Sequence, residues 1–201
     1  MGTGPKRRPA CCRPPFYGIV ASLAGHLPRV MPKDPVIYID ADACPVKAEA
    51  VKVGVRHGLE IVLVANAWLQ PPRGPRVRVE VVPGAFDAAD DWIAGRVEGG
   101  DIVVTADIPL AARCLERGAS VLGPTGRPFT EDNIGNALAS RELMSDLRAY
   151  GLGTGPPPFE ARDRSRFLQA LELAVRTSKA ASRQSAEGKA GPTGTREGGT
   201  G

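Results

Sequence analysis

The chain has 201 residues, 42% of them hydrophobic and 24% charged, enough for one buried core, which excludes a wholly disordered protein. Its formal charge of +4 belongs to the ends: residues 1–33 hold six basic and no acidic residues, residues 177–201 four basic and two acidic, and residues 34–176 sixteen basic against twenty acidic. An acidic middle excludes adhesion to nucleic acid through net charge alone; such binding needs a metal ion or a local basic patch.

Residues 1–33 read as an extension. Lys6-Arg7-Arg8 ahead of the apolar stretch 16–25 faintly resembles a signal peptide, with Ala21-Ser-Leu-Ala24 as a weak cleavage site. The Cys11-Cys-Arg-Pro-Pro15 interruption argues against that, and Met31 reads better as the start because the first strand follows five residues later. No apolar run reaches the ~18 residues of a membrane span, so a cytoplasmic protein with no membrane partner is expected. The cysteines at 11, 12, 44 and 114 form no C-x-x-C pair, and no His stands at zinc-ligand spacing, so neither a disulfide framework nor a zinc site is expected.

From Pro35 strand and helix patterns alternate. Strand one is 36–40, followed by a helix over 45–57 that Gly58 stops. Strand two is 59–65. A Pro/Gly loop leads to strand three at 77–82, whose alternation predicts an edge position. Helix two is 86–97, strand four 101–105, helix three 108–117 and strand five 119–122. A helix over 130–149 opens on Thr130, and a last helix covers 160–177 after a Gly/Pro-rich linker at 151–158. This order predicts an α/β fold, a mainly parallel five-stranded sheet with helices on both faces, over residues 34–177. The tail 178–201 is expected to be disordered.

Carboxylates gather where strands end. Asp40 and Asp42 follow strand one, Asp107 follows strand four with Thr105 two residues earlier, and Asp87, Asp90 and Asp91 open helix two. In an open α/β sheet these positions share the ligand-binding edge. Taken singly, Asp42, Asp87 and Asp107 also read as ordinary helix caps. Taken together they suit a divalent cation, because such a cluster repels itself and hard cations prefer oxygen. Lys47 and Arg127 are placed to meet an anionic substrate at the same edge. Arg162 and Arg166 share a helix face, with Arg164 directed elsewhere. Cys44 and Cys114 read as small packed residues, although the helix start would lower the Cys44 thiol. Trp68 and Trp92 suit packing or base stacking.

Asp40-Ala-Asp-Ala-Cys-Pro45, Leu63-Val-Ala-Asn66, Gly84-Ala-Phe-Asp-Ala-Ala-Asp90, Asp101-Ile-Val-Val-Thr-Ala-Asp-Ile-Pro-Leu-Ala111 and Arg162-Asp-Arg164 resemble the bacterial YaiI/YqxD family over residues 35–175. That family's domain looks PIN-like. PIN-like nucleases use clustered acids to bind Mg²⁺ or Mn²⁺ and cleave phosphodiesters. The resemblance implies Asp40, Asp42, Asp87, Asp90 and Asp107 as metal ligands. It implies catalytic roles for Asp40, Asp107 and Thr105; placement adds Lys47 as catalytic too, and Lys47, Arg127, Arg162 and Arg164 as expected contacts to a substrate, with RNA as the expected partner. The mid-chain Glu of the usual PIN pattern has no counterpart, and Asp87 or Asp90 stands in its place. Two other readings stay open. One is a haloacid-dehalogenase-like phosphatase, with Asp40 as nucleophile and Asp42 as general acid. The other is a non-catalytic RNA- or protein-binding module of the same fold.

Overall fold

A computed structural model describes residues 33–42, 44–70, 72–84, 87–151 and 158–188. The predicted extension up to residue 32, most of the linker and the tail beyond 188 lie outside the described residues.

The sheet is built from β1 (Ile37–Asp40), β2 (Ile61–Ala65), β3 (Val77–Val81), β4 (Ile102–Val104), β5 (Ser120–Leu122) and β6 (Pro128–Phe129). Their spatial order is β3-β2-β1-β4-β5-β6, and all neighbours are parallel except β5 and β6. β1, β2 and β4 are continuous apolar runs, as strands covered on both faces must be, and β3 lies at the predicted edge. β6 is an addition to the five expected strands. It is two residues long and starts with Pro128, which lacks a backbone donor, so its sequence gives no strand signal; an outer position tolerates it.

Among the described residues, five helices flank the sheet: α1 (Lys47–His57), α2 (Ala88–Arg96), α3 (Ile108–Glu116), α4 (Glu131–Ala149) and α5 (Ala161–Gly188). Alternation along each strand feeds two cores. Ile37, Ile39, Leu63 and Val104 face α1 and α5, while Tyr38, Val62, Val64 and Val103 face α2 and α3. α4 lies against α3. Pro45 and Val46 form a turn ahead of α1 rather than its first turn, and Gly58 ends α1 in the left-handed region at φ 67°. At the amino edge, buried Asp101 accepts hydrogen bonds from the backbone N–H of Val36 (2.9 Å) and of Glu98 (3.0 Å), which ties the entry of β1 to that of β4.

The expected end of the last helix at 177 is corrected: α5 continues to Gly188. Phe167, Leu171, Val175 and Ser178 are all buried, and their spacing of four, four and three residues carries one helix face beyond that boundary. Lys179 also donates to the carbonyl of His57, at the end of α1 (3.0 Å). Small and polar residues after 177 hide the periodicity, yet Ala, Lys, Arg, Gln and Glu all favour helix.

The turn between β5 and β6 presses on α5. Gly126 has φ 78°, and a Cβ there would lie 2.6 Å from the backbone of Arg166 and Phe167. Gly126→Ala is expected to destabilise the fold by on the order of 3 kcal/mol in urea unfolding, combining left-handed strain with an overpacked contact that backbone cannot yield to.

Candidate active site

The chain order reverses between β1 and β4, since β2 and β3 lie to one side and β5 and β6 to the other. A crevice outside the carboxyl ends of the strands is expected at such a point. β1 ends there in Asp40, whose side chain is buried at 5% exposure. A carboxylate so placed needs hydrogen-bond donors. Thr105, fully buried just past β4, donates its hydroxyl proton to Asp40 Oδ2 (2.9 Å). Having given that proton away, the same oxygen accepts from the backbone N–H of Asp107 (2.9 Å). Asp107 in turn caps α3: its Oδ1 accepts from the N–H of Leu110 (3.3 Å), while Arg141 on α4 stands 3.7 Å from its Oδ2. The reading of Asp107 as the cap of α3 thus holds.

Asp90, in the first turn of α2, lies within electrostatic reach of Asp40 and Asp107. Its carboxyl is pushed up to about 6 from an ordinary 3.8, first by burial and then by the negative charges of Asp40, Asp107 and Asp87, against a weaker pull from Arg113. Asp87 holds the N-cap position of α2 without capping it through its side chain. Asp91 turns away and pairs with Arg113 (2.7 Å). Asp42 is exposed, and its Oδ2 accepts from the backbone N–H of Asn66 beyond β2 (2.7 Å). Lys47 Nζ donates to the carbonyl of Ala41 (2.6 Å), which brings one positive charge beside the end of β1.

The side chains gathered here offer oxygens, the donors that Mg²⁺ and Mn²⁺ prefer. Among the described residues, however, no three His, Cys, Asp or Glu side chains are grouped closely enough to hold a metal ion by themselves. Of the five expected carboxylates, Asp40 and Asp107 are joined through Thr105, Asp90 feels the charges of Asp40, Asp107 and Asp87, and Asp42 is tied to the β2 loop.

The motifs around this centre also decide kinship. A family model described as "Uncharacterized BCR, YaiI/YqxD family" matches residues 38–177. The chain belongs to the YaiI/YqxD family. It is 60% identical over 144 residues to a UPF0178 protein of Rhodospirillum centenum, covering 69% of this chain and 94% of that one. It is 54% identical over 151 residues to one of Agrobacterium fabrum (75% and 99%) and 57% identical over 145 residues to one of Rhodospirillum rubrum (71% and 97%). No solved structure matches the chain.

The other sequence candidates of this YaiI/YqxD protein divide. Arg127 and Arg162 line one open hollow of about 800 Å³ between the β5–β6 turn and α5. Arg164 does not join them: it pairs with Glu49 on α1 (2.8 Å) and so ties α5 to α1. Cys44 and Cys114 are buried free thiols, each pushed up to about 11 by burial, which outweighs any helix-start effect at Cys44. Trp92 packs edge-on to Tyr38 (6.4 Å between ring centres) beneath Arg96, but Trp68 is 76% exposed. Arg141 and Arg148 escaped the sequence reading. Their spacing of seven residues, two helical turns, was the available signal, but only the packing of α4 on α3 brings them to this edge.

The folded chain holds the Asp90 proton up to about pH 6, whereas the unfolded chain releases it near 3.8. Stability therefore falls as pH rises through that window and stays lower above it. Asp90→Asn is expected to remove the fall and to raise stability at neutral pH by about 1–2 kcal/mol, after allowance for solvent screening of this half-buried group. Thermal melts at pH 4 and 7.5 without divalent metal check this; equal gains at both pH values would contradict it.

Proposed function

We propose that this protein hydrolyses phosphodiester bonds, with RNA as substrate, and that a divalent cation works in the crevice between β1 and β4. One observation carries the reading most: Asp40, Asp90 and Asp107 gather at the sheet's reversal, and burial first, then the charges of Asp40, Asp107 and Asp87, raise Asp90. Mg²⁺ keeps several waters and is commonly held by one or two carboxylates together with substrate phosphate. Asp40 and Asp107 would hold the ion, with Asp90 beside them. When bound, the ion supplies Lewis acidity toward phosphoryl oxygen and acidifies water.

The chain's own residues do the rest. Thr105 holds the Asp40 carboxylate in orientation and fixes the first turn of α3, so Asp40 and Asp107 keep a set relation. Asp90, with a carboxyl titrating near 6, can accept a proton at neutral pH. Lys47 adds positive charge where phosphoryl oxygens would lie. The engagement of Asp42 with Asn66 weighs against a phosphatase in which Asp42 donates a proton to a leaving group. A binding module without turnover is the second reading, favoured by the absence of a preformed metal cluster among the described residues.

With Mn²⁺, labelled single-stranded RNA is expected to be cleaved. Asp40→Asn and Asp107→Asn should each lower kcat/KM by roughly a hundredfold or more. Asn still caps α3, so Asp107→Asn should melt no lower than wild type. Mn²⁺-independent binding with no cleavage would support the module instead.

A further inference from the structure

The strand order lines up three different surroundings along the carboxyl edge. Three residues beyond β2 stands Trp68, exposed as few tryptophans are. Beyond β1 and β4 lie the carboxylates. Beyond β5, Arg127 rises between two hollows and lines both.

The hollows differ in charge. On the α5 side, Arg162 is paired with Glu160 (2.9 Å) and Arg166 with Asp163 (3.8 Å). The α4-side hollow, about 720 Å³, takes Arg127, Arg141 and Arg148 and has no acidic side chain in its lining. Arg127 and Arg148 form no ion pair with any described residue, and Arg141 reaches only Asp107. Three guanidinium groups thus line one open space, and their planar forks match phosphate. Ile108, Phe129 and Met144 give the same hollow an apolar wall. This is the local basic patch that an otherwise acidic domain needs in order to meet nucleic acid.

We propose that a single-stranded nucleic acid lies across this edge. One base stacks on Trp68, a backbone phosphate sits among Arg127, Arg141 and Arg148, and the phosphate between them lies over Asp40 and Asp107. The identity of the ligand rests on the phosphodiester reading above. From β2 to β5 is three strand spacings, about 14 Å, so a mononucleotide cannot occupy both ends. A duplex offers no unstacked base to Trp68.

The test uses the full chain with EDTA, so that neither turnover nor metal contributes. Trp fluorescence and the anisotropy of a labelled strand of about ten nucleotides are followed between about 50 and 200 mM salt, with AMP and a duplex as competitors. The single strand should quench fluorescence, and neither AMP nor duplex should displace it at matched concentration. Trp68→Phe should abolish the quench. Arg127→Gln and Arg148→Gln, both at exposed positions, should each weaken binding roughly tenfold and lower the salt slope by about one, with melting temperature unchanged. No strand binding, wild-type affinity in both Arg variants, or displacement by AMP as effective as by the strand itself would each overturn the proposal. Binding of the expected pattern without cleavage in Mn²⁺ would sink the hydrolase reading and leave the strand path standing. Cleavage with unchanged KM in both Arg variants would do the reverse.

Discussion

The arrangement depends on one buried carboxylate. Asp40 ends a strand covered on both faces, where an ionised group costs several kcal/mol unless donors meet it. The Thr105 hydroxyl meets it, and because a hydroxyl has one proton, the direction of the next hydrogen bond follows: Thr105 must accept from the N–H of Asp107. That bond sets where the chain leaves β4 and where α3 begins. Burial of Asp40, the position of Asp107 and the start of a helix are thus a single constraint. It joins residues 65 apart in sequence through the pairing of β1 with β4.

Charge is sorted across the sheet on the same principle. Asp101 lies at the amino edge, with its carboxylate spent on two backbone N–H groups that hold β1 and β4 together. Asp40, Asp90 and Asp107 lie at the carboxyl edge, where burial and then the charges of Asp40, Asp107 and Asp87 raise the carboxyl of Asp90. Two neighbouring parallel strands therefore have a structural carboxylate at one end and a group of carboxylates at the other. The arginines of the β5–β6 turn and α4 stand next to the second group, linked to it through Arg141 and Asp107. Acidic and basic surfaces that nearly cancel in composition are thus set side by side in space.

The β5–β6 turn owes its place to a contact with no chemistry of its own. Gly126 meets the backbone of α5 at a distance that excludes any side chain, and the turn passes Arg127 between two hollows. Phe167, Leu171 and Val175 fasten α5 beneath it, and Glu172 beside His57 (2.9 Å) with Lys179 secures the far end of that helix on α1. The long last helix therefore works as a brace for the carboxyl edge.

The sequence by itself determined the alternation of strands and helices, the edge position of β3, and the gathering of Asp40, Thr105, Asp90 and Asp107 at one end of the sheet. Those features follow from local periodicity and from the rule that parallel strands present their carboxyl ends together. It also carried the family motifs. Tertiary structure alone decided the rest, because each remaining feature depends on which element lies against which. Asp42 and Asp91 resemble their neighbours in sequence, yet a backbone N–H of the β2 loop takes one and Arg113 of α3 takes the other. Arg164 belongs to Glu49, whereas Arg141 and Arg148, unremarkable in a polar helix, reach the hollow beside the β5–β6 turn through the packing of α4 on α3. β6 exists only because β5 offers it an edge, and α5 extends past 177 because its small buried Ser178 continues an interface that hydrophobicity does not mark.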